Sequence, residues 1–171
     1  MAERPFEIKI HTHPLTLVQD PERVRLAQRG EIIHRALSLL EHCTSREDME
    51  QALLRAFALE GVDQARWDKE RDFLGPLWAA LSLPEVRPWF ARGVRSLREA
   101  EVIDAEGELH RIDRLILGED VLEVIDYKVA RREEGHRVQV DLYQQIAEAV
   151  FHLPVKGYLL YIDEPAVVAV P

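Results

Sequence analysis

Two segments, HRIDRLIL (110–117) and EVIDYK (123–128), place carboxylates and an amine inside runs that otherwise read as β-strands. Side chains alternate faces along a strand, so Leu122, Val124, Asp126 and Lys128 share one face while Ile125, Tyr127 and Val129 share the other. By the same rule Arg111, Asp113 and Leu115 share a face of the preceding run, and an antiparallel hairpin through Gly118 sets Asp113 near Asp126. Two close carboxylates repel unless a cation sits between them. A divalent ion resolves that conflict, since Mg²⁺ takes one or two carboxylates together with waters and phosphate oxygens. Lys128 could then offset developing negative charge, or orient and deprotonate a water. An ion pair of Asp126 with Lys128 or Arg111, serving only packing, explains the D-x-K spacing taken alone. Asp113 brings the metal-centre reading level with it.

The elements that must position these residues follow from capping and periodicity. Asp20-Pro21-Glu22 starts a helix that is expected to run to about Cys43, with Leu26, Ile33, Leu37 and Leu40 on its apolar stripe. His34 lies off that stripe. Gly30, one turn earlier, costs about 1 kcal/mol relative to alanine and leaves the neighbouring surface open to close approach. Ser45 and Asp48 start a second helix that stops at Gly61. Asp63 starts a third, interrupted at Gly75-Pro76, and Pro84 and Pro88 bracket a turn around Trp89 and Phe90. Beyond Gly93 the reading is extended: 94–103, 109–117 and 121–129 form an antiparallel meander. A helix from about His136 to Leu153 follows, with Val138, Leu142, Ile146, Ala149, Val150 and Leu153 on its buried face. Gln139 and Tyr143 flank that face, four residues apart. Strands 158–162 and 167–170 complete the sheet, the helix serving as a parallel crossover. FEIKIH, near the start, reads as a short strand or a connector.

Composition narrows the function classes. The chain has 171 residues, 47% hydrophobic and 31% charged, enough for one domain with a sizeable core: 1–92 mainly helical and carrying His34, 93–171 sheet and crossover helix. No stretch approaches the roughly 18 to 20 apolar residues of a membrane span, and MAERPFEIKIH lacks a signal-peptide core, so a cytoplasmic protein is expected. Cys43 is the single cysteine, which excludes an iron–sulfur cluster and reads as an inert thiol. A net charge of −9 argues against whole-surface binding of nucleic acid but allows local basic groups.

RGEIIHRAL, HRIDRLIL, EVIDYK, QVDLYQQIAEAV and VKGYLLYI, in that order, resemble the RecB/AddA-type branch of the PD-(D/E)XK nuclease superfamily, the C-terminal nuclease domains of bacterial helicase–nucleases, over about residues 28 to 171. The resemblance implies an α/β, restriction-endonuclease-like core: a mixed sheet in β-β-β-α-β order with an N-terminal helical region. It makes His34, Asp113 and Asp126 metal ligands and Lys128 the catalytic lysine, with Gln139 and Tyr143 supporting the site. Glu99 is the additional acid, an alignment ambiguous with Glu101. His110 replaces the glycine usual three residues before the first aspartate.

The implied activity is Mg²⁺-dependent hydrolysis of DNA phosphodiester bonds, by an exonuclease acting in repair and recombination. Mn²⁺ should be tolerated because of the His34 nitrogen. Arg111, Arg114, Arg131, Arg132 and Arg137 are the local basic groups expected to meet single-stranded DNA. No phosphate-binding G-x-x-x-x-G-K-[ST] loop occurs, so a helicase motor would lie elsewhere in the same chain or in a partner. Two other readings stay open: a non-catalytic DNA-guiding or docking module of the same fold, and a dimeric structure-specific endonuclease.

Overall fold

The structure, a computed structural model, describes residues 20–104, 106–129 and 135–171. FEIKIH, Arg131 and Arg132 lie outside the described residues.

Helix α1 (Pro21–Leu39) begins as its sequence dictates: Asp20 accepts a hydrogen bond from Glu22 N at 3.0 Å, and Pro21 occupies the first turn. It ends at Leu39, short of the expected Cys43, because Leu40 turns extended. Ile32, Ile33, Ala36 and Leu37 are buried, whereas Leu26 is 58% exposed on an outer turn that nothing covers among the described residues. Helix α2 (Arg46–Leu59) carries the Ser45–Asp48 capping box, and Gly61 follows it at φ +63°. Asp63 caps only a single turn at 64–66. The next helix begins at Glu70 with a widened turn that runs straight into α3 (Gly75–Leu81). The widening falls where Pro76 offers no N–H to the ladder, so the helix passes through Gly75-Pro76 without the expected break.

The sheet has five strands in the order β1 (Ser96–Ile103), β2 (Leu109–Leu117), β3 (Leu122–Lys128), β4 (Val155–Tyr161) and β5 (Ala166–Val170). β1–β2–β3 is antiparallel, β3 and β4 are parallel across helix α4 (Gly135–Phe151), and β5 returns antiparallel to β4. This is the mixed α/β sheet in β-β-β-α-β order. Helices cover both faces. Ile116, Ile125, Tyr127, Leu160 and Ile162 pack with α1, α2 and α3. Leu115, Leu122, Val124, Leu159 and Tyr161 pack with α4.

Two expectations about faces need correction. The buried side of α4 is Val140, Tyr143, Ile146 and Ala147, while Val138 and Val150 are 70% and 55% exposed. The buried face is therefore rotated from the expected stripe: Tyr143 is itself an inward residue, packed with Val140 and Ala147 against the sheet, while Val138 and Val150 face outward. Strict alternation also fails on β2, since Ile112 and Leu115, three apart, both join the α4-side core. Opposite this break Glu99 has φ +52°, and the β1–β2 ladder omits the Glu99/Asp113 position.

α4 approaches β4 closely at Gly157. A Cβ there would lie 2.3 Å from Gln144 Oε1 and 2.5 Å from Val140 Cγ1. Gly157→Ala is therefore expected to lower unfolding stability by about 1–3 kcal/mol, read from the denaturant midpoint.

Candidate active site

β2 and β3 diverge beyond Arg114 and Ile125, the last paired residues at that end, and Asp113 and Asp126 stand just past this point. Both are nearly buried, at 7% and 3% exposure. Asp113 is fixed from two sides: its Oδ2 accepts a hydrogen bond from Tyr127 N at 2.8 Å, and its Oδ1 lies 3.3 Å from His34 Nδ1. The α1 register that buries Ile33 and Leu37 turns His34 toward the sheet. The carboxylates of Glu99 and Asp113 and a His34 nitrogen lie within 4.8 Å of one another. Asp126 is outside that trio but lines the same cleft, and it is Glu99 rather than Glu101 that joins it there.

Asp126 faces α4. Lys128 Nζ forms an ion pair with the buried Asp126 Oδ2 at 2.7 Å. Lys128 also donates to Gln139 Oε1 at 2.8 Å, and Gln139 Nε2 donates to the Tyr143 hydroxyl at 2.7 Å. The four-residue spacing on α4 thus delivers an oriented amide to the lysine and a phenol to the amide.

Electrostatics follow from burial and from the crowding of acids. Burial and the Asp113 charge push the Asp126 carboxyl up to about 6, against the pull of Lys128 and His34. For His34 burial alone would lower the pKa, but the Asp113 hydrogen bond and the charges of Asp113, Asp126 and Glu99 outweigh it and hold the imidazole above its usual range.

These side chains line an open cleft of about 630 Å³. Its walls include Glu31, Arg35, Glu60, Leu109, His110 and Arg111. Arg111 forms an ion pair with Glu99 at 2.8 Å, and Arg35 one with Glu60 at 2.7 Å. Sequence reasoning missed Glu31, Arg35 and Glu60. Glu31 was findable, three residues before His34 on one helix face, whereas the Arg35–Glu60 pair depends on how α1 meets α2. His110 is held by Asp104 at 2.7 Å, with its ring against Tyr143.

Arg114, expected to meet DNA, is fully buried. It donates to the Tyr127 hydroxyl at 3.0 Å, to Trp89 O at 3.1 Å, to Ser96 Oγ at 3.3 Å and to Leu40 O, with its guanidinium over the Phe90 ring. A guanidinium with four partners inside the core is a structural tie and is closed to substrate. Cys43 is partly buried, and burial pushes its thiol up to about 11, as an inert thiol requires.

Fold and cleft together define an α/β protein of the restriction-endonuclease-like class. Residues 11–169 match the PD-(D/E)XK nuclease superfamily, and the chain belongs to it. Members of that superfamily are generally metal-dependent nucleases, and the fold implies a DNA substrate. None of the curated proteins matches the chain. It is similar to a solved structure described as "Crystal structure of SSO0001", with 21% identity over 86% of this chain and 77% of that one and a TM-score of 0.35.

The residues fit a divalent ion. Two donors about 2.1 Å from one octahedral ion and at right angles to each other are about 3.0 Å apart. The 3.3 Å between His34 Nδ1 and Asp113 Oδ1 is close to that spacing. Asp126, buried and paired with Lys128, adds a further carboxylate to the same cleft, more negative charge than one ammonium offsets. No helix among the described residues is long and apolar enough to cross a membrane.

Proposed function

We propose that this chain is a single nuclease domain of RecB/AddA type, a Mg²⁺-dependent deoxyribonuclease that digests DNA strands from their ends as the cytoplasmic nuclease module of a repair helicase–nuclease. The observation that carries the reading is the meeting, in one open cleft, of an acid from β2, an acid and a lysine from β3, a histidine from α1 and Glu99 from β1. His34, Asp113 and Asp126 would hold the ion, joined by Glu99 as the additional acid, with Lys128 beside Asp126; Mn²⁺ would substitute for Mg²⁺. A bound divalent ion polarises a scissile phosphate and lowers the pKa of a water.

The chain's own residues do the rest. Tyr127 N and His34 hold Asp113 in one orientation. Gln139 keeps the Lys128 ammonium in the cleft, and Tyr143 keeps Gln139 in place. Lys128 offsets charge that develops on the phosphate oxygens or orients the attacking water. Arg111 on the cleft wall, with Arg131 and Arg132 after β3, supplies phosphate contacts. The acidic surface implies that a helicase motor, in the same or a partner chain, delivers the strand.

The test is cleavage of end-labelled linear single-stranded DNA with Mg²⁺ or Mn²⁺, wild type against Asp126→Ala. The expected result is processive loss of label with 5′-phosphate products, reduced at least about a hundredfold in the variant. Equal cleavage by both proteins would sink the site assignment. Folded wild type that binds Mn²⁺ but cleaves neither alone nor with a motor present would favour a DNA-guiding module.

A further inference from the structure

Arg111 and Glu99 make a contact that conflicts with the ion site described above. Glu99 is one of the three residues whose donor atoms lie within 4.8 Å of one another, yet its Oε2 is 2.8 Å from Arg111 Nε. The acid that would help bind a divalent ion is thus neutralised by a guanidinium. Its backbone sits at φ +52°, where a non-glycine residue carries local strain. Strain of this kind, on an acid facing two other donors, fits a residue held for a site rather than for the sheet.

The two partners differ in freedom. The Glu99 side chain is 22% exposed and Arg111 is 60% exposed. Arg111 can therefore swing on the cleft wall at little cost, whereas Glu99 is anchored by its strand. Once a dication sits on Glu99, a guanidinium 2.8 Å from the same carboxylate meets like charge at close range. Its attraction to Glu99 falls, and an anion in the cleft becomes the better partner. A phosphodiester suits it, since guanidinium matches phosphate oxygens in a planar, two-point contact.

We propose that Arg111 exchanges partners, bound to Glu99 when the ion is absent and to a backbone phosphate of the substrate strand when the ion is present, so that divalent ion and nucleic acid bind cooperatively. The inference rests on the metal-dependent nuclease reading. It adds that one arginine links the two binding events, and linkage of this kind is reciprocal.

Arg35 serves as the control. It lines the same cleft and is paired with Glu60, feeling the Glu99 charge only at a distance, so Arg35→Gln removes an equal charge without breaking the Arg111–Glu99 pair. Two quantities are measured on the intact protein: Mn²⁺ affinity by titration calorimetry without DNA, and affinity for a labelled single-stranded oligonucleotide by anisotropy with and without Ca²⁺. In Arg111→Gln, Mn²⁺ is expected to bind several-fold tighter than in wild type and tighter than in Arg35→Gln, and the gain should vanish in the Glu99→Gln background. DNA affinity should be little changed without Ca²⁺ and fall by about tenfold with it.

An equal loss of DNA affinity with and without Ca²⁺ would overturn the exchange and leave Arg111 a fixed contact. Equal tightening of Mn²⁺ in the two arginine variants would also overturn it, as plain removal of charge. Wild type that cleaves with Mg²⁺ while Arg111→Gln behaves as wild type sinks this inference, and with it the phosphate contact of Arg111, but leaves the metal-dependent nuclease reading standing. Wild type that binds no Mn²⁺ sinks the nuclease reading with it.

Discussion

Asp126→Asn is expected to make the protein more stable than wild type at pH 8 in the presence of a chelator, by on the order of 3 kcal/mol, while abolishing metal-dependent cleavage. Burial and the neighbouring Asp113 hold the Asp126 carboxyl at about 6 in the folded chain, against an ordinary value of 3.8. The folded state thus binds the proton more tightly than the unfolded state does. The resulting penalty is fully present above about pH 6, shrinks as pH falls and is gone below 3.8. Asparagine copies the neutral form, so the variant's advantage should be largest at pH 8 and nearly lost by pH 4. Denaturant unfolding at the two pH values reads the difference directly. A variant less stable than wild type at pH 8 would mean that the Asp126–Lys128 pair is net stabilising, as a packing ion pair would be. Added Mg²⁺ should reverse the ranking, because ligand that binds only the folded wild type adds stability by mass action.

The same balance of burial and charge is why the role of β3 is not decided by its own residues. D-x-K on one strand face is compatible with a packing pair and with a metal site, and the distinction lies in what surrounds the acid: a second and a third carboxylate, and a histidine from another element. Periodicity supplied much of the frame. Asp20 and Ser45 marked two helix starts and Gly118 the β2–β3 turn, because each of these effects is local to a few residues. Where tertiary contact decides, local reading went astray. Val138 and Val150 look like core residues of α4 and are exposed, since the face that meets β3 and β4 is set by Gly157 and Tyr143. The break in alternation at Glu99 and Asp113 is invisible in the sequence, because no glycine or proline announces it.

Arg114 shows the same limit at larger energy, and Arg114→Met is expected to cost about 3–5 kcal/mol of unfolding stability. From the sequence it is one more arginine beside Asp113, three residues from Arg111. In the fold it ties together four segments: the end of α1 through Leu40, the turn at Trp89, β1 through Ser96, and β3 through the Tyr127 hydroxyl. Its loss leaves two carbonyls and a buried phenol without their donor, and each unsatisfied group costs its desolvation. Methionine fills part of the volume but donates nothing. Arg114→Lys keeps the charge without the planar fork and should fall between wild type and methionine. Against a typical total of about 5–15 kcal/mol, the methionine variant should show a much lowered denaturant midpoint. Tyr127 N also holds Asp113, so loosening β3 from this tie should weaken Mn²⁺ binding even in the fraction that stays folded. Arg111→Gln, on the exposed cleft wall, should change stability by no more than about 0.5 kcal/mol. A stable Arg114→Met that loses only DNA affinity would return Arg114 to the substrate-facing role its neighbours in sequence suggest, and would contradict its burial.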